Sequence, residues 1–342
     1  MKRILHLVFF LFPACSFCQL IIGGTNPIDF VNQTLSSNNV FVSNYLYQGY
    51  NGAICYFAAT TPNMPFTSGI LMTTGNVTNA PGPNNSTNTS MGNGFGGYSP
   101  LSNLVATSTY DAAVLSFDAT PFGDTLSIEY IFASEEYPEY VGSQFTDITG
   151  IFISGPGIPG NPNIARLPNG DLIGVNYINN GNPGGTNGSG PSPAVNPGYF
   201  VNNVTFATNA LQYDGMTVPL IAKVAVIPTE TYRVTIAIAD CGDSNFDSGL
   251  FIKEGGITAS LKENGLENQV AIWYDSENQQ AIIHLTDVKE NLVYSVSDVS
   301  GKTLENGKLP ANMQIDLSAY SSGMYLIRVA GKHGVISKKI VR

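Results

Sequence analysis

Apolar and polar residues alternate one for one along much of this chain, which is the period of a half-buried β-strand rather than of a helix. In "TLSIEYIFA", Leu126, Ile128, Tyr130 and Phe132 fall on one face; in "YRVTIAIAD", Tyr232, Val234, Ile236 and Ile238 do the same. "AAVLSFD", "GIFISG", "PLIAKVAVI" and "GLFIK" are shorter runs of the same kind, and Gly, Pro, Asn and Asp bound them. The pattern predicts an all-β protein whose larger part is a jelly-roll-like β-sandwich. Two segments lack any period and are dense in turn formers, "NAPGPNNSTNTSMGNGFGGYSP" and the run from "GPGIPGNPN" to "NNGNPGGTNGSGPSPAVNPG". Loops of that length inside a domain carry function or move.

Around "SLKENGLENQ" the composition changes, with Lys becoming common and the Gly/Asn loops ending. A domain boundary is therefore expected near residue 263, giving domains over 19–262 and 263–342. The second, with "QAIIHLT", "LVYSVSDVSGKTLENGKL", "MQIDLSAYSSGMYLIRVAG" and "VISKKIVR", has room for about seven short strands in a small immunoglobulin-like sandwich.

The N-terminus reads as a secretory signal peptide over residues 1–18: Lys2 and Arg3, an apolar run from Ile4 to Phe12, then small residues before Gln19. The residues around Cys15 and Cys18 fit a lipoprotein signal less well. No later stretch reaches the roughly 18 to 20 apolar residues that a membrane helix needs.

Charge narrows the partners. Residues 19–262 hold 16 acidic and 5 basic side chains, whereas 263–342 hold 9 and 8, and no Lys or Arg occurs between Arg3 and Arg166. An acidic domain of this kind lacks the basic patch that nucleic acid or an anionic membrane requires, which leaves cations, neutral glycans and proteins as partners.

The C-terminal segment resembles the type A sorting domain of the type IX secretion system of Bacteroidota through "VYSVSDVSGK", "IDLSAYSSGMYLIRV" and the terminal "KKIVR". That resemblance implies recognition by the type IX machinery through residues 263–342, removal of this domain, and surface anchoring or release of the rest. The first domain resembles the choice-of-anchor L domain through "GILMTTGNVTNAPGPNNS", "TYDAAVLSFDATPFGDTLSIEYIFASEEYPEYV", "FTDITGIFISGPG" and "IAIADCGDSNFDSGLFIKEG". It implies a secreted, cell-surface protein and names no chemistry.

Histidine excludes more. The three are His6, His284 and His333, so the first domain has none, which removes Ser-His-Asp and Cys-His catalysis and His-ligated zinc there. Oxygen ligands remain, and those suit Ca²⁺. "DCGDSNFDSG" sets Asp240, Asp243, Asn245 and Asp247 just after a predicted strand, and "FASEEYPEYVGSQFTD" brings Glu135, Glu136, Glu139 and Asp147 with no basic neighbour. Asp243, Asn245, Asp247 and Glu254 nearly match a calcium-loop template, yet Ser248 stands where it demands Gly and "LFIK" reads as strand. An Asx-rich turn satisfying its own backbone explains the same residues. Glu135 and Glu136 are adjacent, so in an extended chain they point to opposite faces.

The leading expectation is a calcium-supported surface binding or adhesion protein whose ligand is a glycan or protein. An exported carbohydrate-active enzyme using Glu135 or Glu136 as a raised-pKa acid, and a purely structural surface component, are the alternatives. Tyr137 and Tyr140 flank Pro138 and suit a sugar-stacking platform or ordinary packing. Cys55 and Cys241 are expected to form a disulfide, with two buried thiols as the alternative.

Overall fold

The computed structural model describes residues 20–24, 26–37, 39–60, 64–184, 190–204, 210–260, 270–286, 288, 291–331 and 334–342. The signal segment expected over 1–18 and the boundary expected near 263 lie outside the described residues. By its contacts the chain divides between Ala259 and Ser260 into two units.

In the first unit, β1 (Leu20–Ile22), α1 (Pro27–Leu35), β2 (Val40–Gln48), β3 (Ile54–Ala59) and β4 (Ser68–Thr73) lead to α2 (Ser99–Val105). Then follow β5 (Thr109–Pro121), β6 (Thr125–Ser134), β7 (Ile148–Ser154), β8 (Ile173–Gly174), β9 (Phe200–Asn202), β10 (Gly215–Thr217), β11 (Leu220–Ala225), β12 (Tyr232–Cys241) and β13 (Ser248–Ser260). They build two antiparallel sheets. One runs β1-β3-β4-β13-β6-β10-β9, with β11 also paired to β6; the other runs β2-β5-β12-β7-β8. β6 and β12 are therefore interior strands, one in each sheet.

The period-2 faces meet as the alternation predicts. Leu126, Ile128, Tyr130 and Phe132 of β6 share one core with Tyr232, Val234, Ile236 and Ile238 of β12, joined by Leu115, Phe117, Ile151, Ile153, Leu250 and Ile252. Each large side chain buried this way contributes about 1.5–3 kcal/mol.

Alternation fails toward the C-terminal ends of β6 and β12, where every residue from Tyr130 to Ser134 and from Ile236 to Cys241 is buried. The outward faces are covered there. Ile131, Ala133, Leu71 and Phe251 lie under Met64, Phe66, Val77, Leu211 and Tyr213, while Ala237 and Ala239 pack with Ala112, Val114, Leu172 and Leu101 of α2. Strand alternation marks neither α1 nor α2; in α1, buried Phe30, Val31, Thr34 and Leu35 make a one-sided stripe.

This layering corrects the expected disulfide. Cys55 and Cys241 are both free and buried. Cys55 belongs to the apolar layer outside the β4–β13–β6 sheet, and Cys241 to the layer outside the β5–β12–β7 sheet. Two full sheets and the core between them separate the thiols, far beyond the roughly 6 Å Cα spacing that a disulfide permits.

The second unit holds β14 (Val270–Asp275), β15 (Gln280–Leu285), β16 (Val293–Asp298), β17 (Thr303–Lys308), β18 (Gln314–Asp316), β19 (Met324–Gly331) and β20 (Gly334–Val341). These seven strands form a three-stranded sheet, β14-β15-β18, and a four-stranded one, β17-β16-β19-β20. Ile272, Ile283, Val296, Ile315, Ile327, Val329 and Ile340 fill the core. Arg342 closes its edge, donating to Ser318 O at 2.9 Å and to Gln279 Oε1 at 2.5 Å. Among the described residues no helix is long and apolar enough to cross a membrane.

Candidate cation-binding site

Antiparallel register brings acidic residues from distant sequence to one end of the first unit. β10 pairs β6 with Gly215 opposite Ser134, so one step further Asp214 stands opposite Glu135. β12 pairs β7 with Ala239 opposite Ile148, and the next step sets Asp240 opposite Asp147. Like charges directly opposite in a sheet are destabilising. Asp247 immediately precedes β13, and its carbonyl accepts the Glu135 N–H at 3.1 Å. Asp111 joins from the start of β5, with a positive φ of 50° that Asp tolerates better than most residues.

Asp111, Glu135, Glu136, Asp147, Asp214, Asp240 and Asp247 are each no more than 2% exposed. Among the described residues none of them is in an ion pair with a basic side chain. Arg233 pairs with Asp118 at 3.0 Å and Lys253 with Glu129 at 2.7 Å, and Arg166 donates to the Gly170 carbonyl. Seven buried anions without a counter-charge would each incur several kcal/mol of desolvation, so protons or cations accompany them.

The two cross-strand pairs differ in their surroundings. Asp147 accepts the Cys241 N–H at 3.1 Å through Oδ1 and the Ser248 hydroxyl at 2.6 Å through Oδ2, and its own N–H donates to Glu136 Oε2 at 3.1 Å. Burial pushes Asp147, Glu136 and Asp240 upward in pKa, and the Asp147 charge adds to the rise of the latter two. Asp240 Oδ1 is buried without a hydrogen-bond partner.

Around Glu135 the shell is poorer still. Both of its carboxylate oxygens are buried and receive no hydrogen bond of normal geometry, and Asp214 Oδ2 shares that condition. Burial first, then the Asp214 charge, push Glu135 up to about 9, against opposing pulls from the Thr89 N–H and the Gln212 amide. Burial pushes Asp214 up to about 7. Its Oδ1 accepts the Asn84 amide at 2.6 Å, Asn84 also donates to Asn203 O, and Gln212 donates to Asn84 Oδ1 at 3.2 Å and to Ser86 O at 3.0 Å.

Asp247 is held by the Met91 N–H at 2.8 Å and the Asn79 amide at 3.4 Å, and burial pushes it up to about 6. A β-carbon added at Gly75 would lie 1.8 Å from Asp247 Oδ2, so only glycine lets the end of β4 approach this carboxylate. The unpatterned loop over 81–97 is thus the lid of the site, contributing Asn84, Met91 and Asn93; the Asn93 N–H donates to Asp111 Oδ2 at 3.0 Å.

Of the residues the sequence singles out, Glu135, Glu136, Asp147, Asp240 and Asp247 come together in the buried cluster, and half-buried Asp243 stands at its edge. Asn245 does not join them: it is exposed, and its N–H donates to Asp243 Oδ1 at 3.1 Å as in an Asx turn. Glu254 sits about 23 Å along extended β13 from Asp247, where it accepts from Tyr56 and Ser68. The calcium-loop template therefore fails geometrically. Asp214 and Asp111 escaped sequence reading, for only strand register links them to the rest. Among the described residues no three acidic, histidine or cysteine side chains stand close enough to enclose one ion.

Tyr137 and Tyr140 form no open platform. Tyr137 is buried, donates to Ile178 O at 2.8 Å and packs on Phe200; Tyr140 packs against Phe246 and Phe145. A cavity of about 230 Å³ does lie beside Tyr137, Pro138, Asn180, Phe200 and Asn202, with no carboxylate in its wall.

Comparison with known proteins agrees with the division of the chain. The choice-of-anchor L domain model matches residues 24–258 and the secretion system C-terminal sorting domain model matches 277–342. No curated protein matches significantly. Among solved structures, the chain is similar to a biofilm associated protein (BSP domain) at 9% identity and TM-score 0.18, covering 67% of this chain and 48% of that one. It is also similar to a β-glucuronidase from an uncultured Clostridium sp. (7%, TM-score 0.20, 90% and 45% covered) and a β-D-glucuronidase from Dictyoglomus thermophilum (6%, TM-score 0.19, 90% and 44%). This chain spans about half the length of each, and scores this low carry no argument.

Proposed function

This chain belongs to the choice-of-anchor L domain family and ends in a secretion-system sorting domain, and from that premise we propose that it is a calcium-supported binding or adhesion protein of the cell surface. Export by the type IX system and cell-surface localisation follow from the sorting domain. Both matched families are named for anchoring and sorting rather than for catalysis, and Glu135 and Glu136 are too deeply buried to meet a polysaccharide.

The observation that carries the calcium reading is the set of seven buried carboxylates at one end of the sandwich, with buried oxygens on Glu135, Asp214 and Asp240 left unpartnered. A single proton shared within a facing carboxyl pair would relieve the repulsion but satisfy only two of the pair's four oxygens. A hard divalent cation satisfies both oxygens at once. Because three carboxylates do not converge, an ion here takes two at a time and completes its shell with hydroxyl, amide and main-chain oxygens. The first such centre is Asp147 with Asp240. Such an ion ties β7 to β12 and holds the loops that would face a surface ligand.

The test uses the purified full chain. Its unfolding midpoint should rise with added calcium and fall in chelator, and the protein should bind a glycan or protein array only with calcium present. A midpoint indifferent to millimolar calcium overturns the metal part; an array silent under both conditions overturns adhesion and favours a structural surface component.

A further inference from the structure

We infer that Glu135 and Asp214 form a second cation centre, separate from Asp147 and Asp240, that takes a divalent ion of calcium's kind and clamps the 81–93 loop to the end of β6. It shares the calcium chemistry of the proposed function but uses different residues. Glu135 is 1% exposed with neither oxygen in a hydrogen bond of normal geometry, and Asp214, also 1% exposed, leaves Oδ2 in the same condition at the same end of the sheet. Their opposition is built into the strands, one step beyond the Gly215–Ser134 pair, so the fold forces the two carboxylates together. Two facing carboxylates in the interior are held ionised together only when something between them supplies positive charge.

The donors specify the ion. All are oxygens, without His or Cys, which disfavours zinc and copper. Glu135 can give two oxygens and Asp214 one. Asn84 and Gln212 already line the place, joined to each other at 3.2 Å. They now turn nitrogen toward the carboxylates or the loop, and a half-turn of either amide presents oxygen instead. Carboxylates, amides and main-chain oxygens of an irregular loop suit calcium's six to eight ligands better than the strict octahedron of magnesium. The mechanical consequence is local: Asn84 and Ser86 belong to the 81–93 loop, Gln212 and Asp214 to the entry of β10, so one ion joins two covers of the outer face to β6.

Calcium bound per chain is measured by equilibrium dialysis of the full-length protein, alongside thermal unfolding in chelator. The wild type should hold two ions, Glu135→Gln and Asp214→Asn one each, Asp240→Asn one, and Glu135→Gln/Asp240→Asn none. In chelator, Glu135→Gln should unfold at a higher temperature than the wild type, because it removes an uncompensated buried acid, and it should lose part of the calcium-induced rise. A variant that simply damaged folding would unfold lower in both conditions. Asp214→Asn gives the same readings without altering Glu135. Wild-type stoichiometry in both single variants overturns the second centre, and Asp240→Asn then decides the first on its own. A wild type that binds no calcium overturns both.

Discussion

Two glutamates six residues apart, one within β6 and one just beyond it, make the instructive contrast. Glu129, within β6, is partly exposed and meets Lys253 of β13 at 2.7 Å. Glu135, six residues on and just past the strand's end, is buried among Asp214 and Asp247 and is in no ion pair among the described residues. The first is ordinary surface electrostatics, worth about 0–1 kcal/mol and screened by salt. The second is a group whose ionised form the fold disfavours unless another charge arrives. The difference lies in the covering layers: mid-strand, one face of the sheet is wet, whereas at the acidic end loops close over both faces.

The largest effect should appear at the acidic end on changing pH without calcium. Glu135, Asp214 and Asp247 have folded pKa values near 9, 7 and 6, all above the ordinary carboxylate range of about 4. Their stabilising contribution is fully present below that ordinary range and is lost as pH rises through the folded values. Calcium-free stability should therefore fall between pH of about 5 and 9, by about 1.4 kcal/mol per pH unit for each carboxyl that stays protonated only in the fold. Chemical denaturation across that window measures it; a calcium-free stability that rises with pH would sink the idea. Calcium competes with these protons, so its stabilisation should grow over the same window.

Next in size is calcium itself, which at 100 times its dissociation constant should add about 2.7 kcal/mol per ion. Ser248→Ala, which takes the 2.6 Å hydroxyl from Asp147, should cost about 1.5–3 kcal/mol and weaken calcium binding in titration calorimetry. Smaller again, Glu129→Gln should change stability by less than about 1 kcal/mol, with the calcium-induced shift untouched. If Glu129→Gln diminished that shift as much as Glu135→Gln does, the contrast would dissolve. At the bottom of the scale, reducing agent should leave the unfolding midpoint unmoved, and denatured, unreduced protein prepared without residues 1–18 should titrate as two thiols.

The strands were legible because alternation reports burial directly: the inward residues of β6 and β12 are those the period picks out. The acidic loop was legible in part, since Asp240 and Asp247 are near in sequence and near in space. Asp214 was not, because its neighbour Glu135 is reached only through the β10–β6 register, which is a long-range property. The disulfide misreading has the same root. Two cysteines in an exported chain satisfy a counting rule, but which face of which sheet each occupies depends on strand position, and here the faces are opposite.

Those two thiols also make the molecule self-reporting. Burial pushes Cys55 up to about 12 and raises Cys241 further, so while the layers stay closed neither offers thiolate to an alkylating reagent. Cys55 becomes reactive when the cover formed by Met64, Phe66 and Leu211 lifts, and Cys241 when the α2 side lifts. The labelling rate of each cysteine, read separately by peptide mass, is thus a clock for the local opening of one face, and calcium should slow the two clocks by different factors.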